Sequence, residues 1–101
     1  MHIPINQVSD VGNAILAVRK ESGVRQDDAA GSAGVSHVFL RDLERGKETV
    51  QFGRVLRVLE ELGIRMVLEI PSTAEARFLA LSGKPSPNPS AGEDTERKDP
   101  M

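Results

Sequence analysis

The sequence predicts a small all-α domain of four to five helices that ends in a single β-strand. Through the first 63 residues, apolar side chains recur at helical spacing in segments that glycines separate. Over residues 64–70 the pattern changes, and side chains alternate as they do in a half-buried strand. Beyond residue 70 the chain is rich in proline, since five of its six prolines lie there. The 101 residues are therefore expected to form one folded domain with a tail.

Each expected helix has a residue that suits its beginning or its end. Asp10 can cap the first helix and Gly23 can end it, while Ser36 can cap the third helix. The expected helices cover residues 10–23, 26–33, 36–44, 50–62 and 73–81. The fourth carries a wide apolar stripe, which consists of Phe52, Val55, Leu56, Leu59 and Leu62. The fifth is too short to be stable by itself.

The strand over residues 64–70 indicates a dimer because the chain offers it no good partner. Another extended segment is found only near the N-terminus, and Pro4 weakens it as a strand. The simplest partner is the same strand of a second copy across a two-fold axis, giving an intermolecular two-stranded sheet. The residues expected to form this contact are Ile64, Met66, Leu68 and Ile70. The alternative is that residues 64–70 extend the fourth helix, although Gly63 interrupts the helical pattern.

The composition divides the chain into four segments. They are an N-terminal arm (1–9), a helical domain (10–63), a dimerisation strand (64–70) and a Pro/Ser-rich tail (71–101). From residue 84 onward almost no residue is apolar, so this part cannot bury enough surface to offset its ordering entropy. We therefore expect most of the tail to be disordered.

Several functional classes are excluded by composition. The chain has no cysteine, which excludes disulfides and thiolate zinc sites and fits a reducing cytoplasm. It has no catalytic motif and no cluster of metal ligands, so we expect no enzyme, no metal and no cofactor. No apolar run approaches the roughly 20 residues of a membrane span. The N-terminus lacks a basic stretch typical of signal peptides, so we expect a cytoplasmic protein without membrane contact.

Charge is distributed unevenly although the formal net charge is only −2. Residues 36–57 carry more basic than acidic side chains, so one face of an acidic molecule can be basic. Residues 24–47 overlap this basic region. They predict a short helix, a glycine turn and a second, capped helix that is followed by basic residues. Two helices joined by a tight turn are the arrangement that places the second helix in a DNA major groove.

The two helices and their turn contain Gln26, Ala30, the run Ala33-Gly34-Val35-Ser36, Leu40 and the run Leu43-Glu44-Arg45-Gly46. In these residues the chain resembles the Xre/Cro-type helix-turn-helix family, whose fold is lambda-repressor-like, over residues 10–63. The sequence departs from the family at Arg25, where Thr or Ser is usual, and at Ala29, where a large aliphatic residue is usual. With its following strand and tail, the chain is most similar to HipB-like antitoxins.

The resemblance implies a homodimeric repressor that binds a pseudo-palindromic operator in double-stranded DNA and autoregulates its own operon. Bound to that operator, the protein would be nucleoid-associated. It also implies a partner, a HipA-like serine/threonine kinase toxin that the chain neutralises. Two alternatives remain open at this point. One is a stand-alone Xre-family or phage-type transcriptional regulator without a toxin partner, and the other is a protein-interaction module that has lost DNA binding.

The motif predicts DNA contacts at Gln26, Ser36, His37, Val38, Arg41, Arg45 and Lys47. Gln26 begins a helix whose free backbone N–H groups suit a phosphate, and the first turn of the next helix can reach base edges. His37 can donate to a purine N7 or a phosphate, and Arg41 suits guanine. The resemblance further implies a partly buried ion pair between Arg19 and Glu44.

Overall fold

The computed structural model describes residues 1–83. The chain divides into two units, Met1–Met66 and a second unit that begins at Val67. The first unit contains four helices, α1 (Val8–Ser22), α2 (Gln26–Ala33), α3 (His37–Glu44) and α4 (Phe52–Glu61). The described part of the second unit contains a 3₁₀ turn (Ser72–Ala74) followed by α5 (Glu75–Ser82). The expected all-α architecture is confirmed, and no strand is present among residues 1–83.

The first helix begins two residues before the expected cap. Gln7 is the cap residue of α1, and Asp10 lies inside the first turn. The Asp10 carboxylate accepts hydrogen bonds from the backbone N–H groups of Asn6 at 2.9 Å and Gln7 at 3.1 Å. The prediction that Asp10 is itself the cap was therefore wrong. An acidic residue can accept hydrogen bonds from free N–H groups at the third position of a helix as well as at the cap. The presence of Asp10 therefore does not tell which of these two positions it occupies.

The core of the first unit is built from apolar side chains of all four helices. α1 packs against α3, and α2 packs against both α3 and α4. The buried apolar residues are Val11, Ile15, Ala29, Ala30, Ala33, Leu40, Leu43, Val55, Val58 and Leu59. α2 contributes only alanines to this core, so the departure at Ala29 leaves a buried but small side chain at that position.

α1 and the end of α3 approach each other closely at Gly12. A Cβ atom built on Gly12 would overlap the carbonyl oxygen of Leu43 and would lie 2.8 Å from that of Glu44. Gly46 makes a second close approach, since its Cβ would lie 2.8 Å from the Cβ of Ser9. These contacts bring the start of α1 against the exit of α3, which is the helix expected to read DNA.

α4 buries a narrower stripe than the sequence predicted. Its bounds fall within the expected range of residues 50–62. Phe52 and Leu56 of the expected stripe stay 60% and 43% exposed in the single chain. Helical spacing predicts which positions share a face, but it does not predict how far the neighbouring helices reach across that face. The residues of α4 that are buried are Val55, Val58 and Leu59.

Residues 64–70 follow α4 without regular secondary structure. Gly63 has a left-handed φ of 72°, and the amide of Ile64 donates to the carbonyl oxygen of Leu59 at 2.8 Å, which ends the helix. The alternative in which these residues extend the fourth helix is therefore wrong. The expected strand is not confirmed, because no β-ladder is present among residues 1–83 of the single chain.

The four residues expected to form the dimer contact differ in exposure. Ile64 packs against the core of the first unit. Met66, Leu68 and Ile70 are 37%, 82% and 45% exposed. Three of the four expected contact residues are thus open to solvent in the single chain.

α5 confirms the short helix expected over residues 73–81. Gly83 ends it with a left-handed φ of 69°, as the sequence indicated. The expected disordered tail over residues 84–101 lies outside the described residues. No helix within residues 1–83 is both long and apolar enough to cross a membrane.

Candidate nucleic-acid interface

α2 and α3 are joined by a tight turn over residues 34–36. Gly34 has a φ of 72°, a left-handed conformation that favours glycine because it has no Cβ. The amide of Val35 donates to the carbonyl oxygen of Ala30 at 3.0 Å and closes the end of α2. The turn therefore places the start of α3 directly after the end of α2.

The first turn of α3 is capped and exposed. The Oγ atom of Ser36 accepts a hydrogen bond from the backbone N–H of Phe39 at 2.9 Å, which confirms Ser36 as the helix cap. Ser36 and His37 are exposed, and Val38 is 50% exposed. The three side chains expected to reach base edges thus lie together on the surface.

The expected ion pair between Arg19 and Glu44 is present and joins α1 to α3. Arg19 Nε lies 2.7 Å from Glu44 Oε2, and Nη2 lies 2.9 Å from Oε1. Both side chains are under 10% exposed, and Arg19 Nη1 also donates to the carbonyl oxygen of Val24 at 3.1 Å. The pKa of Arg19 is raised above its ordinary value because Glu44 accepts these hydrogen bonds, and burial opposes the rise.

Gln26 connects this buried pair to the surface. Its Nε2 atom donates to Glu44 Oε1 at 2.8 Å, and its Oε1 atom lies 2.7 Å from Nε2 of His37. Arg19, Glu44, Gln26 and His37 therefore form a continuous hydrogen-bonded series, here named the Arg19–His37 row. It runs from the core to the exposed first turn of α3. Gln26 and His37, which the sequence assigned to separate DNA contacts, are thus joined to each other.

The basic side chains at the C-terminal end of α3 are partly neutralised by Asp42. The carboxylate of Asp42 lies 3.7 Å from Nη2 of Arg41 and 3.6 Å from Nζ of Lys47. These are loose, partly exposed pairs, which contribute little to stability and which a phosphate group could displace at small cost. Arg45 is exposed. The Nε atom of Arg41 is buried and has no hydrogen-bond partner among the described residues.

The family follows from comparison with known proteins. The helix-turn-helix family model HTH_3 matches residues 15–68, more than half of the chain. The chain belongs to the helix-turn-helix family, of the Xre type. This helix-turn-helix protein is also 46% identical over 67 residues to the uncharacterized HTH-type transcriptional regulator y4mF of Sinorhizobium fredii. That match covers 66% of this chain and 88% of the relative.

Solved structures show the same helix-turn-helix fold. A chain of the HipA-HipB-O2-O3 complex matches with a TM-score of 0.63 and 20% identity, covering 70% of this chain and 100% of that one. A chain of the HipB-O4 20mer complex matches with the same TM-score, identity and coverage. At this identity the likeness establishes the fold alone. The family resemblance expected from the sequence motif is confirmed.

At the start of α2 this helix-turn-helix protein carries an acidic surface. Arg25, one of the two residues that depart from the family, pairs with Asp27 two residues later through Nη2–Oδ2 at 2.7 Å and Nε–Oδ1 at 3.2 Å. The pKa of Asp27 is lowered because Arg25 donates these hydrogen bonds. Asp28 is exposed and leaves this end of α2 with excess negative charge. Arg25 is therefore already engaged, and it was not among the predicted DNA contacts.

Two features of the interface were missed by sequence reasoning. The first is the contact of Gln26 with His37, although both residues begin their helices. Only the relative placement of α2 and α3 brings them together, and spacing in the sequence does not give that placement. The second is Asp42, which follows Arg41 directly and lies five residues before Lys47. A carboxylate directly after one cation and five residues before another is a signal that could have been used.

Proposed function

We propose that this helix-turn-helix chain is a sequence-specific transcriptional repressor that binds duplex DNA as a homodimer. Membership of the family supports DNA binding and a role in transcription regulation. Such regulators are not a family of enzymes. The observation that carries the proposal is the exposed first turn of α3, fixed by the Ser36 cap and the Arg19–His37 row. A helix start presented in this way can enter the major groove and read bases.

The predicted contacts divide by their place on the surface. Side chains in the first two turns of α3 can contact base edges, and the methyl groups of Val38 can contact the methyl group of thymine. Side chains at the start of α2 and after the end of α3 can contact phosphates, and such contacts fix the register of the protein on the duplex. The base contacts proposed are Ser36, His37, Val38 and Arg41, and the phosphate contacts proposed are Gln26, Arg45 and Lys47.

The test is a titration of purified protein against duplex DNA from upstream of its own gene. Scrambled duplex of the same length is the control, and both are titrated at about 50 and 200 mM salt. We expect tight binding to the upstream duplex that weakens steeply with salt, together with weak binding to the scrambled one. Equal binding to both duplexes, or none even at low salt, would instead favour a protein-interaction module.

Replacing Arg41 by Ala is expected to weaken operator binding by about 1–3 kcal/mol while hardly changing binding to scrambled duplex. An arginine that reads guanine contributes only where that guanine is present. Lys47→Ala is the matched control, since a phosphate contact should weaken binding to both duplexes and lower the salt slope by about one. If Arg41→Ala weakens both duplexes equally, Arg41 contacts the backbone and does not read a base.

Dimerisation through residues 64–70 forms part of the proposal. Met66, Leu68 and Ile70 are exposed in the single chain, and a second copy related by a two-fold axis would cover them. Two copies of α3 presented one DNA turn apart, about 34–36 Å, would match a pseudo-palindromic operator. This spacing gives the dimer a function in DNA recognition.

Met66→Pro is expected to convert the dimer into a monomer. Proline has no N–H for a β-ladder and is tolerated poorly inside a paired strand. Light scattering or sedimentation measures the change, and operator affinity should fall with it. Met66→Ala is the control, since it keeps the backbone donor and removes only part of the apolar contact, so it should weaken the dimer much less than Met66→Pro. A Met66→Pro variant that remains dimeric would place the dimer contact elsewhere on the chain.

The partner proposed is a HipA-like serine/threonine kinase, which the chain would neutralise as an antitoxin. Support comes from the fold, which is similar to a chain of a complex that contains HipA and HipB. Tagged chain co-expressed with an untagged kinase from a neighbouring gene should carry that kinase through purification. If the chain binds its operator but retains no kinase, it is a stand-alone regulator of the Xre family.

A further inference from the structure

The Arg19–His37 row fixes which atoms of His37 can donate and which can accept a hydrogen bond. The reasoning begins at Glu44, whose carboxylate is paired with the Arg19 guanidinium by two hydrogen bonds of 2.7 and 2.9 Å. A carboxylate in this pair is ionised and has only acceptor atoms. Any third group that hydrogen-bonds to Glu44 must therefore present a donor.

Gln26 is that third group, and its amide orientation follows from the charge of Glu44. The amide nitrogen Nε2 lies 2.8 Å from Glu44 Oε1. The reversed amide would place two acceptor oxygens at this distance, which is repulsive. The amide oxygen of Gln26 consequently faces the surface and lies 2.7 Å from Nε2 of His37.

The hydrogen on His37 follows from the same sequence of contacts. An amide oxygen can only accept, so Nε2 of His37 must carry the hydrogen and donate it to Gln26. A neutral imidazole has a single N–H, which leaves Nδ1 as a bare acceptor. The expectation that His37 donates to a purine N7 would require a second hydrogen on that ring.

We propose that neutral His37 reads an amino group on a base edge by accepting a hydrogen bond at Nδ1, with Gln26 as the residue that sets this preference. In the major groove, adenine offers N6–H₂ and cytosine offers N4–H₂ as donors. Guanine offers the acceptors N7 and O6, and thymine offers O4 and a methyl group. His37 therefore selects adenine or cytosine over guanine or thymine at the base that it contacts. The base preference rests on the proposed function, whereas the position of the hydrogen does not.

The hydrogen on His37 can be measured in the free protein, without DNA. Nitrogen-15 NMR at pH 8.5 reports the tautomer of each neutral imidazole, and the exposed His2 serves as a reference in the same chain. We expect His37 to be entirely in the Nε2–H form and His2 to be a mixture. In Gln26→Leu, His37 should shift to the mixture of His2. A hydrogen on Nδ1 of His37, or an unchanged signal in the variant, overturns the proposal. Gln26→Ala serves as a second variant if Gln26→Leu does not fold.

The base preference can be measured by selection from a randomised duplex library at pH 8.5. The position whose preference disappears in His37→Ala is the one that His37 reads. There we expect adenine or cytosine to be favoured about tenfold over guanine or thymine, as one hydrogen bond allows. Gln26→Leu should lose this ratio, and loss of the proposed phosphate contact at Gln26 should weaken binding to all sequences alike.

The possible outcomes separate this inference from the proposed function. A wild-type protein that selects one sequence but prefers guanine or thymine at the His37 position overturns the inference alone. The inference alone is also overturned if Gln26→Leu keeps the wild-type preference for adenine or cytosine over guanine or thymine at this position. A wild-type protein that selects no sequence overturns the proposed function and the base preference together. The NMR result then still decides whether the Arg19–His37 row fixes the hydrogen on His37.

Discussion

Replacing Arg19 by Met is expected to lower the free energy of unfolding by about 3–5 kcal/mol. The substitution leaves the Glu44 carboxylate under 10% exposed and without its charged partner. The hydrogen bond from Gln26 would remain, but one amide donor does not offset the cost of burying a charge. Since the whole domain is expected to be stable by only about 5–15 kcal/mol, the loss should be plain in urea unfolding.

Three further variants decide whether burial causes the effect. Arg19→Lys keeps the charge but loses the two-point geometry, so its loss should lie between wild type and Arg19→Met. The double variant Arg19→Met/Glu44→Leu removes both charges and should recover much of the stability. Arg25→Met breaks the pair with Asp27, which has the same 2.7 Å separation but is exposed, and should leave the unfolding midpoint nearly unchanged. A loss in Arg19→Met as small as that in Arg25→Met would contradict the argument.

The helices of the first unit could be predicted from the sequence because their ends carry local signals. Ser36 caps α3 and Gly23 ends α1 in the structure as in the prediction. Such signals depend on a few neighbouring residues and on the backbone conformation that each residue allows. Asp10 shows the limit of these signals, since an acidic residue serves equally well at the cap and at the third position of a helix.

Contacts between helices could not be predicted in the same way. The pattern of α4 showed that Phe52 and Leu56 share an apolar face with buried residues, yet both stay exposed because no helix within residues 1–83 covers them. The hydrogen bond between Gln26 and His37 depends on how α2 and α3 are placed after the turn. The pair of Arg19 and Glu44 was expected only through the family resemblance, since nothing in the spacing of 25 residues indicates it.

Gly12 was not singled out by the sequence at all, although the structure predicts a large effect there. Gly12→Ala is expected to lower the free energy of unfolding by about 3 kcal/mol, at the upper end of the range for overpacking. The added Cβ would overlap the carbonyl oxygen of Leu43 and lie 2.8 Å from that of Glu44. Both are backbone atoms, so no side-chain rotation can relieve the contact, and α1 must move away from α3.

Gly31→Ala is the matched control for this prediction. Gly31 also lies inside a helix, but its Cβ would meet nothing within 4 Å. Alanine is the better helix former, so Gly31→Ala should raise stability by about 0.5–1 kcal/mol. Chemical unfolding of the two variants should therefore give changes of opposite sign for the same substitution. If Gly12→Ala were also stabilising, α1 and α3 would not be held at the close approach on which the Arg19–Glu44 pair depends.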